Sequence, residues 1–189
     1  MRKGYPLFLN LEGEPCLVFG GGEVAYRKIQ SLLTRGAKVT CLSREFIEPL
    51  KTLSRKISPL TLNPLPPGGG EGRVREGIRK GALQLKCIRG NRPSLNGARL
   101  VIAATSDRAF NARVARECRL RKIWVNVVDD PGLCDFTVPA VVERGPLQVA
   151  ISTGGTSPFF ARRLREELEK VIPPSVGRFL EKLGRMRRS

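Results

Sequence analysis

A glycine-rich segment near the N-terminus constrains the fold of this chain most strongly. Residues 16–25 read CLVFGGGEVA, so an apolar run leads directly into Gly20 and Gly22, and a helical pattern begins at Glu23. This is G-x-G-x-x-A between a strand and a helix, the context in which a dinucleotide pyrophosphate is bound. The first glycine permits the tight turn, the second lets the backbone approach the phosphates, and Ala25 allows close helix packing. The segment therefore predicts a nucleotide-binding βαβ unit whose helix directs free N–H groups at the phosphates.

Short apolar segments alternate with helical patterns over the first two thirds of the chain, as in parallel α/β sheets. Helices are predicted over residues 23–35, ended by Gly36, and from about Ser106, with Thr105 or Ser106 as the N-cap. The order predicts an α/β fold of the Rossmann type, a doubly wound parallel sheet. Its strands, several of them apolar throughout as in sheets covered on both faces, are predicted at 16–19, 38–42, 83–88, 100–104 and 123–128.

The pattern changes in the last third of the chain. Apolar runs at 136–142 and 147–152 flank Glu-Arg-Gly-Pro, which predicts a β-hairpin. Because a lone hairpin is marginal in water, we expect it to pack on a partner, with a second copy of the chain as the candidate. An amphipathic helix is predicted over 159–172, followed by a short helix near Phe179. The expected domains are a nucleotide-binding domain at 1–134, a small β dimerisation region at 135–156 and a short helical C-terminal portion at 157–189.

One segment interrupts the α/β pattern. Residues 58–77 hold four prolines and five glycines, too many for a helix or an interior strand. We predict a disordered insertion between the second and third strands. A functional lid is the alternative, but the segment lacks aromatic or periodic apolar residues.

Cysteine and histidine usage limits the possible chemistry. The chain has no histidine and five cysteines with no CxxC pair, so neither a metal site nor a disulfide framework is predicted. Cys16, Cys41 and Cys87 lie in apolar runs and are expected to pack as small hydrophobic residues. No apolar run is long enough to span a membrane and the first residues do not resemble a signal peptide, so we expect a cytoplasmic protein.

The charge balance is strongly basic, with 34 Lys+Arg against 17 Asp+Glu and a formal charge of +17. The surplus is spread along the chain without an aromatic stacking platform, which argues against specific nucleic-acid binding. A highly anionic small substrate and a non-specific affinity for nucleic acid both stay open.

The choice between NAD and NADP rests on the residues after the second strand. An acidic residue about 20 positions beyond the glycines typically binds the ribose hydroxyls of NAD, whereas an arginine binds the phosphate of NADP. Arg44 and Glu45 both stand there, so the local sequence leaves the two cofactors open.

The fifth predicted strand ends in two carboxylates. Residues 126–132 read NVVDDPG, and ligands of this fold bind at the carboxyl ends of the strands. With no histidine present, a carboxylate or a lysine must accept protons near neutral pH, and Asp129 is the candidate nearer the strand. A plain Asp-Pro-Gly turn explains the same residues. Residues 152–158, STGGTSP, predict either a helix N-cap with turn glycines or a loop that binds carboxylates.

Four ordered blocks resemble the precorrin-2 dehydrogenase / sirohydrochlorin ferrochelatase family, the N-terminal module of siroheme synthase. They are GGGEVAYRK at 20–28, VIAATSD at 101–107, NVVDDPGLCDFTVPA at 126–140 and ISTGGTSP at 151–158. The resemblance implies a Rossmann domain, a homodimer built on exchanged strands, and oxidation of precorrin-2 to sirohydrochlorin with NAD. In some members it also implies insertion of ferrous iron. The expected substrate is an octacarboxylate tetrapyrrole, which a basic protein attracts.

The resemblance also implies roles for particular residues. The essential aspartate falls on Asp129. The expected cofactor contacts, including the family's nucleotide contacts, fall on Gly20, Gly22, Glu23, Val24, Arg44, Glu45 and Thr105, and the expected substrate contacts on Asn126, Ser152, Thr153, Gly154, Gly155, Thr156 and Ser157. The alternatives are a dehydrogenase without iron insertion, which a short helical C-terminus favours, and a non-catalytic NAD-binding sensor.

Overall fold

The computed structural model describes residues 4–57, 81–88 and 94–187, and the predicted insertion at 58–77 lies outside these ranges. The chain divides into two units, one of Leu7–Phe136 and one of Met1–Pro6 with Thr137–Ser189. Over the described ranges, none of the helices has the length and apolar character needed to cross a bilayer.

The larger unit is built on a parallel sheet of five strands in the order β3-β2-β1-β4-β5. The order reverses between β1 and β4, which creates the crevice where ligands of doubly wound folds bind. The predicted Rossmann-type sheet is thereby confirmed. Its strands are β1 (Pro15–Phe19), β2 (Lys38–Ser43), β3 (Ala82–Cys87), β4 (Leu100–Ala103) and β5 (Trp124–Val127), and its helices are α1 (Glu23–Leu33), α2 (Glu48–Ile57) and α3 (Arg108–Leu120).

Both faces of the sheet are covered by apolar side chains. Ile29 and Leu33 of α1 pack with Val18 and Val39 on one face. On the other face α3 packs its own apolar stripe on Phe19 and Val125, with the Phe19 and Phe110 rings 5.5 Å apart. This two-sided burial explains why the central strands are apolar nearly throughout.

Helix α2 was not anticipated from the sequence. Only Leu50, Leu53 and Ile57 carry its apolar period, and Leu50 is the buried one. Pro49 lies in the first turn, where its missing N–H costs no intrahelical bond. The helix forms because this short stripe packs against the sheet beside β3.

Two expectations about single residues were wrong. The N-cap of α3 is Asp107, whose carboxylate accepts a 2.8 Å hydrogen bond from the Phe110 N–H, and neither Thr105 nor Ser106 caps the helix. Cys87 is exposed rather than packed, because β3 is the edge strand and only Leu83 of it is buried.

The smaller unit holds an antiparallel hairpin and two helices. The strands β6 (Ala140–Arg144) and β7 (Leu147–Ile151) pair through a two-residue turn, and α4 (Pro158–Val171) and α5 (Ser175–Met186) follow. The first predicted strand thus begins at Ala140 instead of 136. The Arg144 guanidinium donates to the carbonyls of Ile172 and Glu169 at 2.8 and 2.9 Å, which ties the hairpin to the end of α4.

Candidate active site

The glycine-rich loop follows the carboxyl end of β1 and lies beside the ends of β2 and β4. Gly20 has φ +122°, a conformation that favours glycine, and its N–H donates to the Leu42 carbonyl at 2.9 Å. A Cβ on Gly20 would overlap the carbonyl group of Ala104. The predicted tight turn therefore requires glycine at this position.

The middle glycine has a structural role that the motif alone did not indicate. A Cβ on Gly21 would overlap the carbonyl oxygen of Glu45, and the Gly21 carbonyl accepts a 3.0 Å hydrogen bond from the Ile47 N–H. Gly21 thus lets the segment after β2 pack directly on the loop.

Gly22 faces open space. An ideal Cβ there meets nothing within 4 Å, and Gly22 is the N-cap of α1 without a side-chain cap among the described residues. The N–H groups of the first turn are therefore left for another acceptor. An open backbone position at an uncapped helix N-terminus fits a pyrophosphate.

The predicted cofactor-discriminating residues lie beside this loop. Arg44 and Glu45 are both exposed just beyond the end of β2. Their backbone is fixed by the Glu45 contact with Gly21 and by the Cys87 thiol, which donates to the Arg44 carbonyl at 3.4 Å. The backbone of this segment therefore lies directly beside the glycine-rich loop.

The loop after β4 is held by a residue that sequence reasoning missed. Asn111 is buried in α3, and its amide donates to the Thr105 carbonyl at 2.9 Å while its side-chain oxygen accepts from the Thr105 hydroxyl at 2.6 Å. A lone amide beside Phe110 on the apolar stripe of α3 is the sequence signal that marks it.

An open cleft of about 220 Å³ lies at the carboxyl ends of β4 and β5. One wall comes from the loop after β4 and the start of α3: Thr105, Ser106, Arg108 and Asn111. The other comes from β5 and the following turn: Val127, Val128, Asp129, Asp130 and Leu133. The fold thus brings the predicted cofactor residue Thr105 and the predicted base Asp129 into one cleft.

Asp129 is exposed and has φ +61°, in the left-handed region that aspartate tolerates better than most residues. The Val128 N–H before it donates to the Ala103 carbonyl at 2.9 Å, and the Asp130 N–H after it donates to the Val127 carbonyl at 3.4 Å. The turn therefore presents the carboxylate from a fixed backbone.

Cys134 braces the turn that carries Asp129. Its single S–H points between the carbonyl oxygens of Val127 and Asp130, which lie 3.2 and 3.3 Å from Sγ, and Sγ accepts from the Val127 N–H at 3.2 Å. Burial raises the pKa of this thiol, so it stays protonated and able to donate near neutral pH. No local sequence pattern indicated this contact.

Lys28 of α1 is a second residue that the prediction did not single out. Its side chain is half-buried, and burial, followed by the charge of Arg27, lowers the pKa of its ammonium. Cys134 and Asp129 act on that pKa in the opposite direction. Lys28 therefore lies close enough to the turn after β5 to interact with Asp129 through space.

Asn126 lies outside the cleft. It is buried, and its amide donates to the Phe136 carbonyl at 2.9 Å. Asn126, an expected substrate contact, therefore holds the segment after β5 against the sheet.

The expected substrate loop at 152–157 belongs to the smaller unit. Ser157 is the N-cap of α4 and accepts from the Phe160 N–H at 3.1 Å, and the Thr153 hydroxyl accepts from the Ser157 N–H at 3.1 Å. Gly154 and Gly155 have φ +63° and +85°. The segment is a tight turn before the helix, as one of the two predicted alternatives has it.

Metal ligands do not cluster in the part of the chain that the structure describes: no group of three or more Asp, Glu or Cys side chains is placed to hold an ion there.

The glycine loop, the uncapped helix and the cleft at the switch point define a Rossmann-type dinucleotide-binding protein. Comparison with family models agrees: one described as "Putative NAD(P)-binding" matches residues 7–140, and one described as "Sirohaem biosynthesis protein central" matches residues 144–170. The chain belongs to this NAD(P)-binding family and corresponds to the N-terminal module of siroheme synthase, as the four sequence blocks predicted.

Relatives of known name are similar over almost the whole chain. The siroheme synthase of Methylobacillus flagellatus is 43% identical over 92% of this chain and 32% of its own length, and that of Methylococcus capsulatus is 41% identical over 91% and 31%. The chain thus spans about a third of these relatives. Among solved structures, "SirC, precorrin-2 dehydrogenase" matches with a TM-score of 0.70 and 26% identity, over 97% of this chain and 79% of that one.

Proposed function

We propose that this chain oxidises precorrin-2 to sirohydrochlorin with NAD as the hydride acceptor. The observation that carries the proposal is the cleft at the switch point, which joins Thr105 of the loop after β4 to Asp129 of the turn after β5. The similarity to a precorrin-2 dehydrogenase over 97% of the chain supports the same substrate.

The cofactor would be held by the backbone at Gly20 and Gly22 and by the first turn of α1, where the space beside Gly22 is open. NAD supplies a hydride acceptor when bound. Glu45 would accept hydrogen bonds from the ribose hydroxyls of NAD, whereas Arg44 beside it would bind the extra phosphate of NADP. A titration that gives tighter binding of NADP than of NAD would reverse this assignment.

Asp129 is the proton acceptor in this proposal. Oxidation removes a hydride and a proton from the macrocycle, and the hydride leaves to the cofactor. The proton goes to the Asp129 carboxylate, because the chain contains no histidine and the carboxylate is presented to the cleft from a fixed turn. The charge of +17 raises the local concentration of an octacarboxylate substrate.

The test is anaerobic incubation of the purified chain with precorrin-2 and NAD, followed by absorbance. Formation of sirohydrochlorin with an equal amount of NADH is the expected result. A chain that binds NAD but forms neither product is the sensor, and the proposed function is then wrong. Ferrous iron added after sirohydrochlorin has formed tests the iron insertion that the family resemblance implies for some members.

We also propose that the chain is a homodimer assembled through the smaller unit. Large apolar side chains are exposed there: Val138 is 46%, Phe159 79%, Val171 75% and Phe179 60% exposed. Exposed apolar surface of this kind is typical of an interface between subunits. A second copy would cover it and stabilise the hairpin β6–β7.

A further inference from the structure

Among the described residues, Arg108 is the one arginine that lines the cleft. It is the first residue of α3, its side chain is exposed, and Asp129 lies in the opposite wall. Over the described ranges, no carboxylate lies within 4.0 Å of its guanidinium. The cleft therefore holds a guanidinium that has no ion-pair partner among the described residues.

Two other arginines of the same helix contact groups of the protein itself. Arg119 donates to the Gly132 carbonyl at 3.2 Å and lies 3.7 Å from Asp135, and Arg113 stacks over the Phe110 ring at 5.7 Å. Arg116 is exposed without an ion pair among the described residues, but it does not line the cleft. Arg108 thus differs from Arg119 and Arg113 because it makes no such internal contact. It differs from Arg116 because it lines the cleft.

The negative and positive charges of the cleft lie on different walls. Asp129 and Asp130 place two negative charges on the wall formed by the turn after β5, and Arg108 places a positive charge on the wall formed by α3. A polyanionic substrate is repelled by the first wall and attracted by the second. Its binding to this cleft consequently requires a contact on the α3 side.

We propose that Arg108 binds a peripheral carboxylate of the substrate and so orients the macrocycle with its reacting edge toward Asp129. This rests on the proposed function. A guanidinium matches a carboxylate with two parallel N–H donors, which fixes direction as well as distance. The substrate has carboxylate side chains all around its macrocycle. When the reacting edge of the macrocycle lies at Asp129, one of these carboxylates is therefore directed toward the α3 wall of the cleft, where Arg108 lies. Arg108 acts here as a specificity residue, and proton transfer stays with Asp129.

The test compares Arg108→Gln, Arg108→Lys and the matched control Arg116→Gln, each with precorrin-2 and NAD. Loss of a charge-assisted bidentate contact raises KM for precorrin-2 about tenfold in Arg108→Gln. The value of kcat falls by a smaller factor than KM rises, because the bound macrocycle then turns its reacting edge toward Asp129 less often. Arg108→Lys keeps the positive charge but loses the two parallel N–H donors, so its KM for precorrin-2 lies between those of the parental protein and Arg108→Gln. Arg116→Gln behaves as the parental protein.

A readout independent of turnover is the affinity for sirohydrochlorin, measured by quenching of its fluorescence. It should weaken about tenfold in Arg108→Gln, while NAD affinity and the melting temperature stay parental. Parental sirohydrochlorin affinity in Arg108→Gln overturns the proposal. So does a loss of NAD affinity, which would mean that Arg108 binds the cofactor phosphates. If the proposed function itself is wrong, the result differs, because the parental protein then neither oxidises precorrin-2 nor binds sirohydrochlorin. The proposed role of Arg108 is then wrong as well.

Discussion

The hydroxyl of Thr105 donates a 2.6 Å hydrogen bond to the side-chain oxygen of Asn111, and the Asn111 amide donates back to the Thr105 carbonyl at 2.9 Å. This reciprocal pair connects the loop after β4 to the first turn of α3. Both residues line the cleft that contains Asp129, so the wall opposite the proposed base is held by a buried polar contact.

Thr105→Val tests that contact. The substitution keeps the shape but leaves the buried Asn111 oxygen without its donor, which costs about 1–3 kcal/mol of unfolding free energy. Thr105→Ser keeps the hydroxyl and is the matched control. Urea unfolding measures both variants. Equal stability of Thr105→Val and the parental protein would mean that Asn111 finds another donor or water.

Gly22→Asp should abolish NAD binding without unfolding the chain. The position has φ −96° and open space, so the side chain fits, but its charge opposes a pyrophosphate at the start of α1. NAD titration and thermal melting separate the two effects. Gly21→Ala is the contrasting variant, since its Cβ would overlap the Glu45 carbonyl oxygen and should lower the melting temperature. Unchanged NAD affinity in folded Gly22→Asp would contradict the proposed site.

Asp129→Asn should slow sirohydrochlorin formation at least about tenfold, because general-base catalysis contributes roughly 10²- to 10⁴-fold and water substitutes in part. NAD affinity and folding should be unchanged, since the amide keeps the size and hydrogen bonding of the carboxylate. Asp130→Asn, at the neighbouring position in the same cleft, is the control. A parental rate in Asp129→Asn would move the search for the base to Asp130, because Asp107 already caps α3.

The buried thiols predict how stability depends on pH. Burial raises the pKa of Cys16 to about 11 and those of Cys41 and Cys118 to about 12, from the ordinary value of 9.0. The unfolded chain therefore ionises first, and the unfolding free energy falls once the pH passes 9.0, continuing as it rises toward the folded values. Urea unfolding on both sides of that pH measures the loss. Cys41→Ala should show a smaller decrease, and an unchanged slope in that variant would assign the effect to other groups.

The homodimer predicts a sedimentation mass of twice the chain at micromolar concentration. Val138→Asp places a charge on the apolar surface before β6 and should shift the mass toward the monomer. Leu120→Asp is the control, because Leu120 is 74% exposed at the end of α3 in the larger unit. A parental protein that sediments as a monomer would show that the hairpin has another partner.

Local patterns were sufficient for the fold class. The five strands and α1 follow from runs of apolar residues and from the glycine motif, and each depends on neighbours within a few positions. The same holds for Gly20, Gly22 and Asp129, because their signals are a strand end and the residues next to it. The amphipathic period of α2 was too short to be recognised, since Leu50, Leu53 and Ile57 alone carry it.

Only the tertiary structure decided which side chains surround Asp129. Cys134 braces its turn, Asn111 holds the opposite wall, Arg108 lines the same cleft, and the charge of Asp129 acts on the pKa of Lys28 in α1. The sequence by itself determined that a carboxylate ends the fifth strand and that a dinucleotide motif follows the first. It carried no sign of these partners because they come from segments far apart in the chain, which are brought together when the parallel strands align their carboxyl ends at one edge of the sheet.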